Sequence, residues 1–229
     1  SSNDFDVQQF REQDVLGYDY VMNCIGALSG SDEAQMQKIN AEFPKRLALA
    51  TRAKIIHMST DGVFSGKGGP YDESSPCDAD DPYGKSKHAG EVDAPNVINI
   101  RTSIVGPSPY KKKGLLEWFL SQPDGATVKG FTNHVWNGVT TLQFARLCEK
   151  IIRQEAFGRL RAESHVLHFA PNNPVTKYEL LEVFKKVFGK SINVEPTEDP
   201  RGAVRRELKT KYEGLKSLFP HGGKMEEAL

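Results

Sequence analysis

Ile55-Ile56-His57-Met58-Ser59-Thr60-Asp61 reads as a buried strand that delivers a hydroxyl and a carboxylate at its end. Tyr83-Gly84-Lys85-Ser86-Lys87, shortly after it, opens a helix and puts Tyr83 and Lys87 on one face, one turn apart. A hydroxyl, a phenol and an ammonium brought together are the groups needed to protonate a carbonyl as it is reduced. The spacing alone is weak, because Tyr212 and Lys216 repeat it in a polar tail with no such company. Working outward, Asp19 to Gly26 predicts another buried strand running into a glycine turn. Between the two strands Met36, Ile39, Phe43, Leu47 and Ala50 recur with a helical period over 35–51, where Pro44 predicts a kink or break. Strand, helix, strand at this spacing is a parallel βαβ unit.

The segment 61–82, rich in Gly, Pro, Asp and Ser, is a long structured loop, and such loops in compact domains are usually functional. Beyond the helix at 83–92, Val97–Arg101 and His165–Phe169 predict strands, and 127–130 a short one. Helices are expected at 115–120, at 140–153 with a clear amphipathic pattern, and from Thr176 to Phe188, where Thr176 and Glu179 form a capping box. Short helices are also expected at 7–16 and 210–218.

The chain has 229 residues, 38% apolar and 26% charged, enough for a real core in one α/β domain with a small lobe. Thirty basic residues balance thirty acidic ones, so no global field draws in nucleic acid or an anionic membrane, and any anion needs a local site. Cys24, Cys77 and Cys148 include no Cys-x-x-Cys pair, which points to a reducing cytoplasm and against a metal site. No apolar run approaches the roughly 20 residues that span a bilayer.

Parallel sheets gather ligands at the carboxyl ends of their strands. Three such ends carry suggestive groups: Asn23-Cys24-Ile25-Gly26, Ser59-Thr60-Asp61 and Arg101-Thr102-Ser103. Each alone is ordinary turn chemistry. Together, in this order and around Tyr83 and Lys87, they form a constellation.

With these residues in place the sequence resembles the extended short-chain dehydrogenase/reductases, and among them the dTDP-4-dehydrorhamnose reductase-like, sugar-nucleotide-binding group. The resemblance is carried by Asn23 to Gly26, Ile39-Asn40, Met58-Ser59-Thr60-Asp61-Gly62-Val63-Phe64-Ser65-Gly66, Tyr83 to Lys87 with Gly90-Glu91, and Arg101-Thr102-Ser103. Gly114 to Phe119 and Gly130 to Thr141 extend it. It implies a Rossmann-like doubly wound parallel α/β sheet (1–103 and 139–170) with a small α+β substrate-binding lobe (104–138 and 171–229). It further implies an enzyme that uses NADPH or NADH on a nucleotide-diphosphate sugar, reducing a 4-keto-6-deoxy sugar for surface polysaccharide. An epimerase or dehydratase of the same superfamily, or a non-catalytic regulatory relative, are the alternatives.

Carried over by position, Tyr83 is the general acid, Lys87 favours its phenolate and binds the nicotinamide ribose, and Thr60 orients the substrate oxygen. Asn23, Cys24, Ile25, Gly26, Ser59, Arg101 and Ser103 join Tyr83 and Lys87 along the cofactor. Asp61, Val63, Phe64 and Trp136 join Thr60 and Tyr83 at the substrate, with Asp61 and Glu91 serving structure more than proton transfer. Lys111-Lys112-Lys113 reads either as a diphosphate anchor or as solvated surface, and Phe131 and Trp136 either as stacking platforms or as core. The resemblance implies no metal, no nucleic acid and no membrane, and leaves a homodimer open.

One departure matters. The family grips its dinucleotide with a glycine-rich loop after the first strand, which this sequence lacks. Either that segment belongs to a longer protein of which these residues are part, or the chain cannot hold the dinucleotide in the usual way. Bare strand edges left by its absence favour the first. The preference between NADP and NAD lies in the same segment.

Overall fold

The computed structural model describes residues 7, 9–108, 112–219 and 221–229, so Lys111 lies outside the described residues. The first half of the chain alternates strand and helix. β1 (Tyr20–Asn23) is followed by α1 (Glu33–Met36), a π-helical segment (Gln37–Glu42) and α2 (Phe43–Ala50), then by β2 (Lys54–Met58), α3 (Pro82–Ala89) and β3 (Val97–Arg101). Next come β4 (Ile104–Val105), α4 (Leu115–Leu120), β5 (Thr127–Phe131), β6 (His134–Trp136), β7 (Val139–Thr140), α5 (Thr141–Arg153), α6 (Phe157–Glu163) and β8 (Val166–His168). The chain ends with β9 (Val175–Thr176), α7 (Lys177–Phe188), β10 (Asn193–Thr197), β11 (Val204–Arg205), α8 (Glu213–Leu218) and α9 (Met225–Ala228).

β1, β2, β3 and β8 form a parallel sheet in that order. Strand alternation sorts its side chains onto two faces. Ile56, Ile98, Ile100 and Leu167 pack with Phe144, Leu147, Ile151, Phe157, Leu160 and Leu215 from α5, α6 and α8. Ile55 and Val97 point the other way, onto Phe43 and Leu47 of α2 and onto Phe10 and Val15. Helices on both faces make the sheet doubly wound, as expected from near-continuous apolar strands. A second core joins Leu116 and Phe119 of α4 to Val128, Leu180, Phe184 and Val194, under the parallel pair β5 and β10. Each such buried side chain contributes about 1.5–3 kcal/mol.

The helix at 33–50 shows how Pro44 is accommodated. Proline has no N–H for the Asn40 carbonyl, and the turn before it widens into the π segment. That carbonyl lies against Gly90, where a Cβ would collide with it. The helix expected at 7–16 is reduced to one 3-10 turn, Glu12–Asp14. Among the described residues β1 has no partner on its outer edge. Beside its start Leu16, Tyr18 and Leu49 line an open cavity of about 600 Å³. No described helix is long and apolar enough to cross a membrane.

Candidate active site

The site is built where β2 and β3 end. After Met58 the chain turns through Ser59 and Thr60, and the Thr60 hydroxyl caps a 3-10 turn by accepting from the Gly62 N–H at 3.0 Å. α3 starts opposite, with Pro82 in its first turn and Asp81 capping the Gly84 N–H at 2.9 Å. The two turns touch. A Cβ on Gly84 would run into the Gly62 carbonyl, and the Tyr83 ring lies across Gly62, 3.1 Å from where a Cβ would stand. This contact brings Tyr83 beside Thr60, whose hydroxyl donates to Asp61 Oδ1 at 3.2 Å.

A cavity of about 240 Å³ opens above them. Cys24, Ile25, Gly26, Ser59, Thr60, Tyr83, Lys87 and Ser103 line it, together with Ala27, Leu28, Met58, Thr102 and Ile104. Asn23 lies beneath, accepting from the Ile25 N–H at 3.2 Å and donating to His57 Nδ1 at 3.0 Å. Asn40 supports the same wall through both backbone groups of Ala27 and through Ser86. Besides Asn23, five residues from the expected list stand off the cavity, the buried Asp61 among them. Val63 and Phe64 are fully buried below it, with Phe64 stacked on Tyr71 at 4.2 Å. Trp136 packs inside the second core. Arg101 is buried behind the strand ends, its guanidinium engaged by Glu91, His168 and Cys77.

Burial sets the protonation of the site. It pushes the Tyr83 phenol above the ordinary tyrosine value, opposed by the Thr60 hydroxyl, so the phenol is held in its proton-donating form. It also pulls Lys87 down to about 8, opposed by Glu91 and Cys24. Lys87 donates to the Met58 carbonyl at 2.8 Å, and its remaining N–H groups are available to oxygens in the cavity. Asp61 is raised by burial, opposed by Arg206, Thr60, Lys177 and Ser103. Burial pushes Glu91 up, yet the paired bonds from Arg101, with His88 and Ser59, bring it down to about 2. Ser59 donates to that carboxylate at 2.6 Å, which couples the Ser59–Thr60 turn to the buried ion pair.

A second cavity, of about 390 Å³, lies between α4, β5, β6 and α7. Trp118, Phe131 and Leu115 give it apolar walls, and Lys129, His134 and Lys177 make it basic. Burial pulls Lys177 below the ordinary lysine value, opposed by the charge of Asp61. Lys177 and Arg206 escape a reading of the sequence, and Trp118 lies in the run Gly114 to Phe119 without a role read for it there.

A nicotinamide dinucleotide fits this arrangement at one end. Cys24 to Gly26 bring backbone close to the cavity, and a buried lysine with free donors suits the hydroxyls of a ribose. The cavity has room for a ring and a sugar and not for the whole dinucleotide.

The fold is shared with known proteins. Residues 28–208 match a family model described as the RmlD substrate binding domain. The fold is similar to a dTDP-4-dehydrorhamnose reductase from Clostridium acetobutylicum (TM-score 0.71, 23% identity, 92% of this chain and 78% of that one). It is also similar to a dTDP-4-dehydrorhamnose reductase from Bacillus anthracis in complex with NADP (TM-score 0.75, 18% identity, 97% and 83%). A dTDP-glucose 4,6-dehydratase from Streptomyces venezuelae with NAD bound aligns as well (TM-score 0.71, 17% identity, 95% and 72%). Comparison with curated protein sequences returns no match. Since the family model spans most of the chain, the chain belongs to the RmlD substrate-binding family.

Proposed function

We propose that the chain is an NAD(P)H-dependent reductase of a 4-keto-6-deoxy sugar nucleotide, acting in the cytoplasm on the way to a surface polysaccharide. The observation that carries this reading is the shared cavity of Thr60, Tyr83 and Lys87. A carbonyl oxygen seated between the Thr60 and Tyr83 hydroxyls accepts hydrogen bonds from both, which orients and polarises it. Tyr83, neutral in its buried setting, passes its proton to that oxygen as negative charge develops there. Lys87 keeps the ribose oxygens in register. Cys24 to Gly26 would lie along a reduced nicotinamide, which when bound would supply hydride for the carbonyl carbon.

The second cavity suits the nucleotide end of the substrate. Trp118 and Phe131 offer faces to a base, and Lys129 and Lys177 offer charge to a diphosphate. In this reading the sheet carries the cofactor and the second core carries the sugar nucleotide. Likeness to a reductase of dTDP-4-dehydrorhamnose supports the substrate class.

A second reading, epimerase or dehydratase, is supported by the likeness to a 4,6-dehydratase and uses the same Tyr83 and Lys87. The experiment that separates them incubates the protein with NADPH and a panel of dTDP- and UDP-linked 4-keto sugars, following NADPH and product together. A reductase consumes one NADPH for each alcohol formed. Turnover of sugar with no net NADPH loss would overturn the reductase reading in favour of the second one. A protein that acts on none of the panel overturns both.

A further inference from the structure

At the C-terminal end of α3 a thiol, an imidazole and a carboxylate converge. Cys77 comes from the loop 61–82, His88 from the last turn of α3, and Glu91 from just beyond its Gly90 cap. One ligand atom from each lies within 4.8 Å of the other two. His88 Nδ1 stands 3.0 Å from Glu91 Oε2, close to the roughly 3.3 Å that separates a nitrogen and an oxygen bound to one tetrahedral zinc ion. We propose that Cys77 Sγ, His88 Nδ1 and Glu91 Oε2 form a binding site for a zinc-class divalent cation, with a fourth position open to water on the exposed His88 side.

Three features select the cation. Sulfur and imidazole ligands suit zinc, whereas magnesium and calcium take oxygen ligands. The exposed His88 ring can leave its bond to Glu91 and turn onto a metal without disturbing packed structure. Arg101 already donates to Cys77 Sγ at 3.0 Å, so the sulfur a metal would bind as thiolate has a hydrogen-bond donor fixed beside it. Glu91 needs no release from Arg101, because a carboxylate oxygen has two lone pairs and the metal takes the direction His88 now uses. A reading of cysteine spacing misses this set, since its ligands are a single cysteine and two residues from one helix end. Its effect would be to tie the loop 61–82 to α3, behind Ser59.

The inference does not depend on the reductase reading and is tested on the intact chain by titration with cobalt alone, followed by zinc. The expected result is one cobalt per chain, a thiolate-to-cobalt charge-transfer band in the near ultraviolet, and displacement of that band by zinc. Cys77→Ser loses the band, His88→Asn weakens binding, and Cys24→Ser keeps it. His88 is exposed, so His88→Asn tests the site even if Cys77→Ser disturbs folding. No band in the wild type, a band that survives Cys77→Ser or disappears in Cys24→Ser, or unchanged affinity in His88→Asn would each overturn the site.

Discussion

The ion pair behind the Ser59–Thr60 turn is the feature whose energetics can be worked most directly. Arg101 Nε and Nη2 each donate to a different oxygen of Glu91 at 2.7 Å, and the two side chains are only 4% and 2% exposed. Its other contacts are the Cys77 sulfur, the His168 ring and the Phe64 face at 5.2 Å. Glu91→Gln removes the charge and keeps the shape, leaving a buried guanidinium uncompensated. Breaking a buried pair on one side costs about 3–5 kcal/mol. Glu149→Gln is the control, since its pair with Arg153 at 2.8 Å is largely exposed and is worth under about 0.5 kcal/mol. A domain with roughly 5–15 kcal/mol in hand stays folded through either change. Urea unfolding at neutral pH should therefore separate the two variants by several kcal/mol. The double variant Glu91→Gln with Arg101→Met should cost less than the two single changes added together, by about 2 kcal/mol. A cost for Glu91→Gln no larger than for Glu149→Gln, or strict additivity in the double variant, would refute the reasoning.

Further outcomes follow from the same structure. Burial, reinforced by Lys87, holds His57 down to about 3, so its neutral form is favoured in the fold. Its contribution is whole above the ordinary value of 6.5 and is lost as pH falls from 6.5 towards 3, at about 1.4 kcal/mol per pH unit. His57→Gln should flatten the acid limb of stability against pH, and an unchanged limb would refute this. Gly84→Ala places a methyl against the Gly62 carbonyl and should cost about 1–3 kcal/mol in thermal or urea unfolding, where a neutral effect would contradict the close approach of the two turns. Trp118 is half-exposed at the second cavity, so Trp118→Ala should raise KM for a sugar nucleotide while leaving unfolding stability within about 0.5 kcal/mol.

What was legible in the sequence was whatever rests on local periodicity or a turn. The strand 54–58 and the capping box at Thr176 have signals within a few residues, whereas the meeting of Thr60 with Tyr83 is implied only by the family resemblance. The two- and three-residue strands outside the main sheet have no such signal. β6 is ordered by β9 and β11, each far along the chain, and three residues are too few to show alternation. Arg101 illustrates a subtler limit. A cation at a strand end suggests a ligand, yet a carboxylate held by the end of α3 claims it first. The two tryptophans show the same competition, since Trp136 closes over Gly138 in the second core while Trp118 stands at the cavity mouth. Sequence pattern ranks both as aromatic, and only packing decides which one faces solvent.

The most direct test of the reaction reading compares wild type, Thr60→Val and Tyr83→Phe for NADPH oxidation with a 4-keto-6-deoxy sugar nucleotide. Far-ultraviolet dichroism on each protein confirms that it is folded. Loss of the proton donor should lower kcat about 10²–10⁴-fold in Tyr83→Phe, with a smaller loss in Thr60→Val. A Tyr83→Phe protein that oxidises NADPH at the wild-type rate would contradict the assignment.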